Sequence, residues 1–143
     1  MSIYEWFVMI TAVDTSVLLD VLLNDPAHAA KSLAVLRQAV AEGTLIIGAV
    51  ALAELIPALK PEDVSRFLAE WNISFVPESE VSAVLAGQMF SAYLSRGGLR
   101  GRVVPDFLIA AHAQTSAQRL LARDRGYYRD YFHQLTVWDP SRH

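Results

Sequence analysis

The sequence predicts an α/β fold, a three-layer α/β/α sandwich around a central, mostly parallel sheet. Two observations predict it. Short β-rich runs alternate with helical stretches along the whole chain, the pattern of strands joined by crossover helices. The chain is also 53% apolar and only 19% charged, against usual values of about 45–50% and about 25%. Strands buried on both faces by helices use such a surplus, and so does an interface that a partner covers. At 143 residues the chain fits one compact domain. No repeat, low-complexity tract or linker divides it, so residues 1–143 read as a single domain.

The elements follow in order. Ile10 to Val13 is a short β-rich run that stops at Asp14. An apolar helical stretch, Ser16 to Leu23, comes next and is closed by Asn24-Asp25-Pro26. His28 to Glu42 reads as a helix with Leu33, Leu36, Ala39 and Val40 on one face and Gly43 as its stop. Thr44 to Ile47 is a second buried strand, Val50 to Leu59 a third helix, and Pro61 starts a fourth helix ending near Asn72. Ile73 to Val76 is a third strand. Glu78 to Ser95 is a long amphipathic helix with Val81, Val84, Leu85, Met89 and Tyr93 as its stripe, ended by Gly97-Gly98. Arg100-Gly101-Arg102 is a basic loop, and Pro105 starts a helix through Gln118. Leu120-Leu121-Ala122 is a short strand, Asp124-Arg125-Gly126 turns the chain, and Leu135 to Trp138 is the last strand.

Composition removes several function classes. The chain has no cysteine, which excludes disulfide frameworks and thiolate metal sites and fits a reducing compartment. No apolar run approaches the ~20 residues of a membrane span. The start, MSIYEWFVMI, lacks a basic n-region and contains Glu5, so it is a poor signal peptide. A cytoplasmic protein with no membrane partner is the expectation. The net charge of −3 conceals an asymmetry: residues 1–90 hold eleven acids and four bases, residues 91–143 four acids and eight arginines. Arginine forks onto phosphate oxygens in pairs. Arg100, Arg102, Arg123 and Arg125 are therefore candidate RNA contacts, with solvated surface arginines as the alternative.

Parallel α/β sheets place their sites outside the carboxyl ends of the strands. Asp14, Asp106 and Asp124 lie at or just beyond such ends, and Glu54 sits inside an otherwise uncharged helix. Each aspartate also has a structural role open to it. Asp14 suits a helix N-cap, Asp106 gains from a helix dipole, and Asp124 suits a turn. Glu54 is harder to account for structurally, because Val50, Ala51, Pro57 and Ala58 on its helical face offer no ion pair. If all four meet, they need a counter-ion: two carboxylates ~4 Å apart repel by roughly 4 kcal/mol at an effective dielectric of 20. Carboxylate oxygens without nearby His or Cys select Mg²⁺ or Mn²⁺ over zinc. Such ions activate water and neutralise a phosphodiester during in-line attack, which is nuclease chemistry.

These residues carry a resemblance. Val13-Asp14-Thr15-Ser16, Ala51-Leu52-Ala53-Glu54-Leu55, the run from Pro105-Asp106-Phe107 to Ala113, and the run from Leu120 to Tyr127 come in the order found in PIN domains. The chain thus resembles the PIN-domain ribonucleases, in particular VapC-type endoribonuclease toxins, over residues 9 to about 138. The resemblance implies a PIN-like sandwich in which Asp14, Glu54, Asp106 and Asp124 are catalytic and hold the metal, with Ser16 at a supporting hydroxyl position. It also implies RNA as substrate, a homodimer, and silencing by a cognate antitoxin. The family pattern begins near Met9, so residues 1–8 read as an N-terminal extension. The apolar helices Val17 to Leu23 and Val50 to Leu59 exceed what one small core needs, and a second chain is expected to cover part of them.

Other candidates carry less. His112, six residues beyond Asp106, points about 120° away from it and reads as a surface or packing residue. His28, His133 and His143 share no metal-ligand spacing. Trp6, Trp71 and Trp138 read as packing. Tyr127, Tyr128 and Tyr131, interleaved with Arg125 and Arg129, either stack on unpaired bases or pack. A receiver-like signalling module needs a paired acid beside Asp14 and a late lysine, but Thr15 follows and the last lysine is Lys60. A haloacid-type phosphatase needs an acid where Ser16 stands. The remaining alternative is a catalytically degenerate PIN domain that binds RNA or protein without cutting.

Overall fold

The computed structural model describes residues 8–101 and 103–142. Arg102, His143 and most of the expected extension, residues 1–7, lie outside the described residues.

Among the described residues, five strands form one parallel sheet in the order β3-β2-β1-β4-β5. They are β1 (Met9–Val13), β2 (Gly43–Ile47), β3 (Ile73–Phe75), β4 (Arg119–Leu121) and β5 (Val137–Trp138). Among the described residues, seven α-helices connect and cover them: α1 (Thr15–Leu22), α2 (Ala29–Glu42), α3 (Ala49–Leu55), α4 (Val64–Glu70), α5 (Glu80–Ser95), α6 (Val104–Ser116) and α7 (Tyr127–Tyr131). β1 is central, pairing Ala12 with Ile46 on one side and with Leu120 on the other. Consecutive residues Thr11, Ala12 and Val13 are all buried, as are Leu45, Ile46 and Ile47, so both faces of the sheet are covered. That is the arrangement an apolar, non-alternating strand calls for. Helix α1 packs on α2 and α3, and α5 packs on α6.

The strand order reverses at β1. The chain builds outward through β2 and β3, then crosses back to place β4 on the opposite side of β1. The carboxyl ends of β1 and β4 therefore flank a switch point, where loops leave in opposite directions and open a crevice.

Several boundaries differ from those expected. The third helix stops at Leu55 instead of Leu59, because Pro57 has no N–H to donate and its ring crowds the carbonyl of Ala53. The next segment opens as a 3₁₀ turn, Pro61–Asp63, before α4. Helix α5 begins at Glu80, since Ser79 and Ser82 form a reciprocal capping box. The short helix α7 was not expected at all. Of the apolar segments expected to exceed the core, Val17, Leu18, Leu55 and Leu59 are buried within this chain, whereas Leu23 is 64% exposed. The exposed apolar side chains include Val81 and Val84, 70% and 55% exposed on α5, together with Phe75 on the edge strand β3. Among the described residues no helix is long and apolar enough to cross a membrane.

Candidate active site

A cleft of about 400 Å³ opens at the switch point, and Asp14, Glu54, Asp106 and Asp124 all line it. Asp14 ends β1, where its backbone N–H donates to the Leu121 carbonyl at 2.9 Å and ties the end of β1 to β4. It occupies the N-cap position of α1, yet its side chain makes no capping hydrogen bond. Instead its Oδ2 accepts from the Ser16 hydroxyl at 2.7 Å. Ser16 Oγ in turn accepts the Arg123 N–H at 3.1 Å. Ser16 thus locks the ends of β1 and β4 together beneath the cleft.

Glu54 arrives on the last turn of α3. The Thr15 hydroxyl donates to its Oε1 at 3.0 Å and lies 3.3 Å from the Ala51 carbonyl. The start of α3 is held by Glu78, whose carboxylate accepts the Ala49 N–H at 2.7 Å and the Val50 N–H at 3.2 Å. A carboxylate suits that position because the helix N-terminus carries positive partial charge. Glycine at position 48 leaves room for this approach, since a Cβ there would stand 2.7 Å from Glu78 Oε1 and push the carboxylate aside. Asp106 lies in the first turn of α6, next to Pro105.

Asp124 has a structural task as well as a place on the wall. Its carboxylate accepts N–H bonds from Gly126 at 2.7 Å, Tyr128 at 3.3 Å and Arg129 at 3.1 Å, which turns the chain and starts α7. Gly126 permits the turn with φ of +109°. The Asp124 N–H itself donates to Asp139 Oδ2 at 3.0 Å.

The acids feel one another. Burial raises the Asp14 pKa, the Ser16 hydrogen bond opposes that rise, and Glu54 adds to it. Asp106 is pushed up to about 6, first by burial and then by Asp14, with Arg125 opposing and Glu54 and Asp124 contributing further. Burial likewise lifts the Tyr128 hydroxyl well above its ordinary range, and Asp14, Asp106, Asp124 and Glu54 all add to the effect. Unbalanced negative charge on oxygen donors is the environment a hard cation suits. Among the described residues, however, no three acidic or histidine side chains are drawn into a closed coordination shell.

The three candidate arginines among the described residues separate. The Arg123 guanidinium is engaged by Asp20 through Nε and Nη2, both at 2.9 Å, and Asp20 also accepts from Ser32 Oγ at 2.7 Å. Arg125 is exposed at the cleft and has no ion-pair partner among the described residues. Arg100 is exposed in the loop before α6 and does not line the cleft. His112 is a buried packing residue whose Nε2 meets the Val76 carbonyl at 2.7 Å.

Sequence reasoning missed the supports. Asp20 is an acid in an apolar helix, the same signal that marked Glu54. Asp139 follows β5 directly, so the strand-end rule that picked Asp14 applied to it too. Burial pushes Asp139 upward, but hydrogen bonds from Ser141 and from the Asp124 backbone, with Arg142 nearby, hold its pKa below the ordinary value. Thr15 was read only as part of the motif containing Asp14.

No curated protein matches the chain. Among solved structures, FitAcB from Neisseria gonorrhoeae is 21% identical, aligns over 93% of this chain and 99% of its own, and superposes with a TM-score of 0.70. VapBC-1 from nontypeable Haemophilus influenzae is 19% identical over 94% of this chain and 100% of its own, with a TM-score of 0.69. VapBC2 from Rickettsia felis, solved bound to a DNA fragment from their promoter, is 19% identical over 92% and 98%, with a TM-score of 0.69. At these identities the likeness is one of fold. The PIN domain family matches residues 11–132, from the centre of β1 to the end of α7. With that span covering the sheet switch point and all four acids, the chain belongs to the PIN domain family.

Proposed function

We propose that this protein is a metal-dependent endoribonuclease of VapC type, the toxin of a toxin–antitoxin pair. The observation that carries the reading is one cleft walled by Asp14, Glu54, Asp106 and Asp124, with the Asp106 pKa lifted to about 6 by burial and by its acidic neighbours. Nothing in a purely structural role rewards gathering like charges this way. Under this reading the four carboxylates hold Mg²⁺ or Mn²⁺, an ion that supplies Lewis acidity and a water acidic enough to attack phosphorus at neutral pH.

The chain's own residues do the rest. Ser16 fixes the rotamer of Asp14, and Thr15 fixes Glu54. Arg125 offers the cleft an exposed cation for RNA phosphate. Arg123, held by Asp20, shapes the wall instead of reaching for substrate. The fold shared with VapBC and FitAcB proteins supports a cognate antitoxin as partner. A homodimer is part of the same reading.

A catalytically degenerate PIN domain is the second reading, favoured by the absence of a closed coordination shell among the described residues. RNA cleavage with Mn²⁺, with and without EDTA, separates the two. Cutting that EDTA abolishes supports the enzyme, and binding without cutting in either condition supports the degenerate module.

A further inference from the structure

The cleft holds far more acceptors than donors. Four carboxylates face it, and a phosphodiester brings one more negative charge, so a group that holds the phosphate there must donate hydrogen bonds. Several donors in the wall are engaged already. Ser16 donates to Asp14 at 2.7 Å, Thr15 donates to Glu54 at 3.0 Å, and Arg123 forks onto Asp20. Tyr127 packs edge-on against Tyr93 in the aromatic cluster around Phe107. Among the described residues of the wall outside that cluster, the side-chain donors left without a protein partner are Arg125 and Tyr128.

These two differ in kind. Arg125 is exposed at the cleft. Tyr128 is only 4% exposed and belongs to the hydrophobic core, while its backbone N–H is held by Asp124. Among the described residues no buried side-chain polar atom lacks a hydrogen-bond partner. A hydroxyl that has no protein partner, on a side chain this buried, must therefore open into the cleft that the residue lines. Asp14, Glu54, Asp106 and Asp124 line that same cleft. A phenol ionises near 10, so at neutral pH it is a donor, and a neutral one. It can approach a phosphate without competing with a cation for the carboxylates.

We infer that Tyr128 is a further catalytic residue, whose hydroxyl donates a hydrogen bond to a non-bridging oxygen of the phosphodiester bound among the four acids. This rests on the endoribonuclease reading. The tyrosine makes and breaks no covalent bond and keeps its proton throughout. Its rigid mounting on α7 means that little reorganisation is needed as charge builds on phosphorus oxygens, the condition under which a single donor contributes most.

Tyr128→Phe keeps the ring and deletes the hydroxyl. With bulk transfer RNA and Mn²⁺, kcat should fall about 100-fold, the lower end of the loss of one transition-state donor. Melting temperature and Mn²⁺ affinity should stay at their wild-type values. Tyr131→Phe, in the aromatic cluster outside the cleft, should cut normally. Wild-type kcat in Tyr128→Phe would overturn the inference, and so would a loss of activity matched by a loss of Mn²⁺ affinity, which would make a carboxylate the partner. If Tyr128→Phe fails to fold, 3-fluorotyrosine at position 128 retains the hydroxyl and reports on it. Its fluorine resonance should shift when transfer RNA is added in Ca²⁺, and an unmoved resonance counts against the inference. If the wild type does not cut transfer RNA, the endoribonuclease reading fails separately, and binding decides the inference. Fluorescence anisotropy in Ca²⁺ should show Tyr128→Phe binding labelled transfer RNA about fivefold more weakly, whereas equal affinity overturns it.

Discussion

Asp106 concentrates the electrostatic tension of the site. Its carboxyl titrates near 6 in the folded chain, against an unperturbed value of 3.8. A carboxyl raised in this way binds more protons folded than unfolded, so stability falls as pH rises from about 4 to about 6 and stays low above that. A shift of this size corresponds to about 3 kcal/mol at about 1.4 kcal/mol per unit, reduced by solvent screening at a partly exposed group to about 1 kcal/mol. Asp106→Asn should therefore be more stable than wild type by about 1 kcal/mol in EDTA at pH 7.5, an advantage that shrinks toward pH 4. Urea denaturation across that range reads it directly, and a destabilised variant at pH 7.5 would show that the acids do not oppose one another. The arginines separate at the same scale. Arg123→Ala breaks the ion pair to buried Asp20 and should cost about 3 kcal/mol of stability. Arg125→Ala should leave the melting temperature unchanged and flatten the salt dependence of RNA binding by about 0.7 in log–log slope. Exchanged outcomes would reverse the two roles.

Elements show which parts of the structure the chain could announce in advance. The buried strands and the longer helices were legible because their signal is local: unbroken apolar runs, capping residues, Gly43 and Gly97 as stops. Asp14 and Asp124 follow strands of the parallel sheet, where sites form, and Glu54 stood out as a lone charge in an apolar helix. Asp106, expected at a strand end, instead follows helix α5 and a loop and reaches the cleft from the first turn of α6. Helix α7 was not legible. It exists because Asp124 caps it and Gly126 turns into it at positive φ, and Asp124 is itself positioned through the Asp139 carboxylate. That chain of dependence joins residues fifteen apart, which no periodicity reveals. Asp139 consequently becomes a target. It accepts from Asp124 N, Ser141 N and Ser141 Oγ. Asp139→Ala leaves those donors unpaired and should cost about 2 kcal/mol, loosening the Asp124 turn and lowering cleavage with it. Because the Asp139 pKa is depressed, its contribution is present above the unfolded value and lost as pH falls through the folded one. A melting curve for Asp139→Ala identical to wild type would remove this support from the account.

At the scale of the whole molecule, one open question is what covers the surface. Leu23 stands exposed at the end of α1, within the segment expected to meet a second chain, and Val81 and Val84 stand exposed three residues apart on α5. If the protein is the dimer that the proposed reading implies, sedimentation at micromolar concentration should give twice the chain mass. Val84→Asp should shift that equilibrium if α5 is the contact, and a monomeric wild type would remove the homodimer from the reading. The cleft lies at the switch point between β1 and β4, where the fold brings four acids from four segments to one cavity. The central claim is that these acids perform metal-dependent RNA hydrolysis. The most direct test is cleavage of bulk RNA by wild type and by Asp14→Asn, each purified free of contaminating nuclease, with Mn²⁺ and then with EDTA. Wild type should cut only with the ion present, and Asp14→Asn should be inactive while still folded. Equal cutting by both proteins, or cutting by wild type that EDTA does not affect, would contradict it.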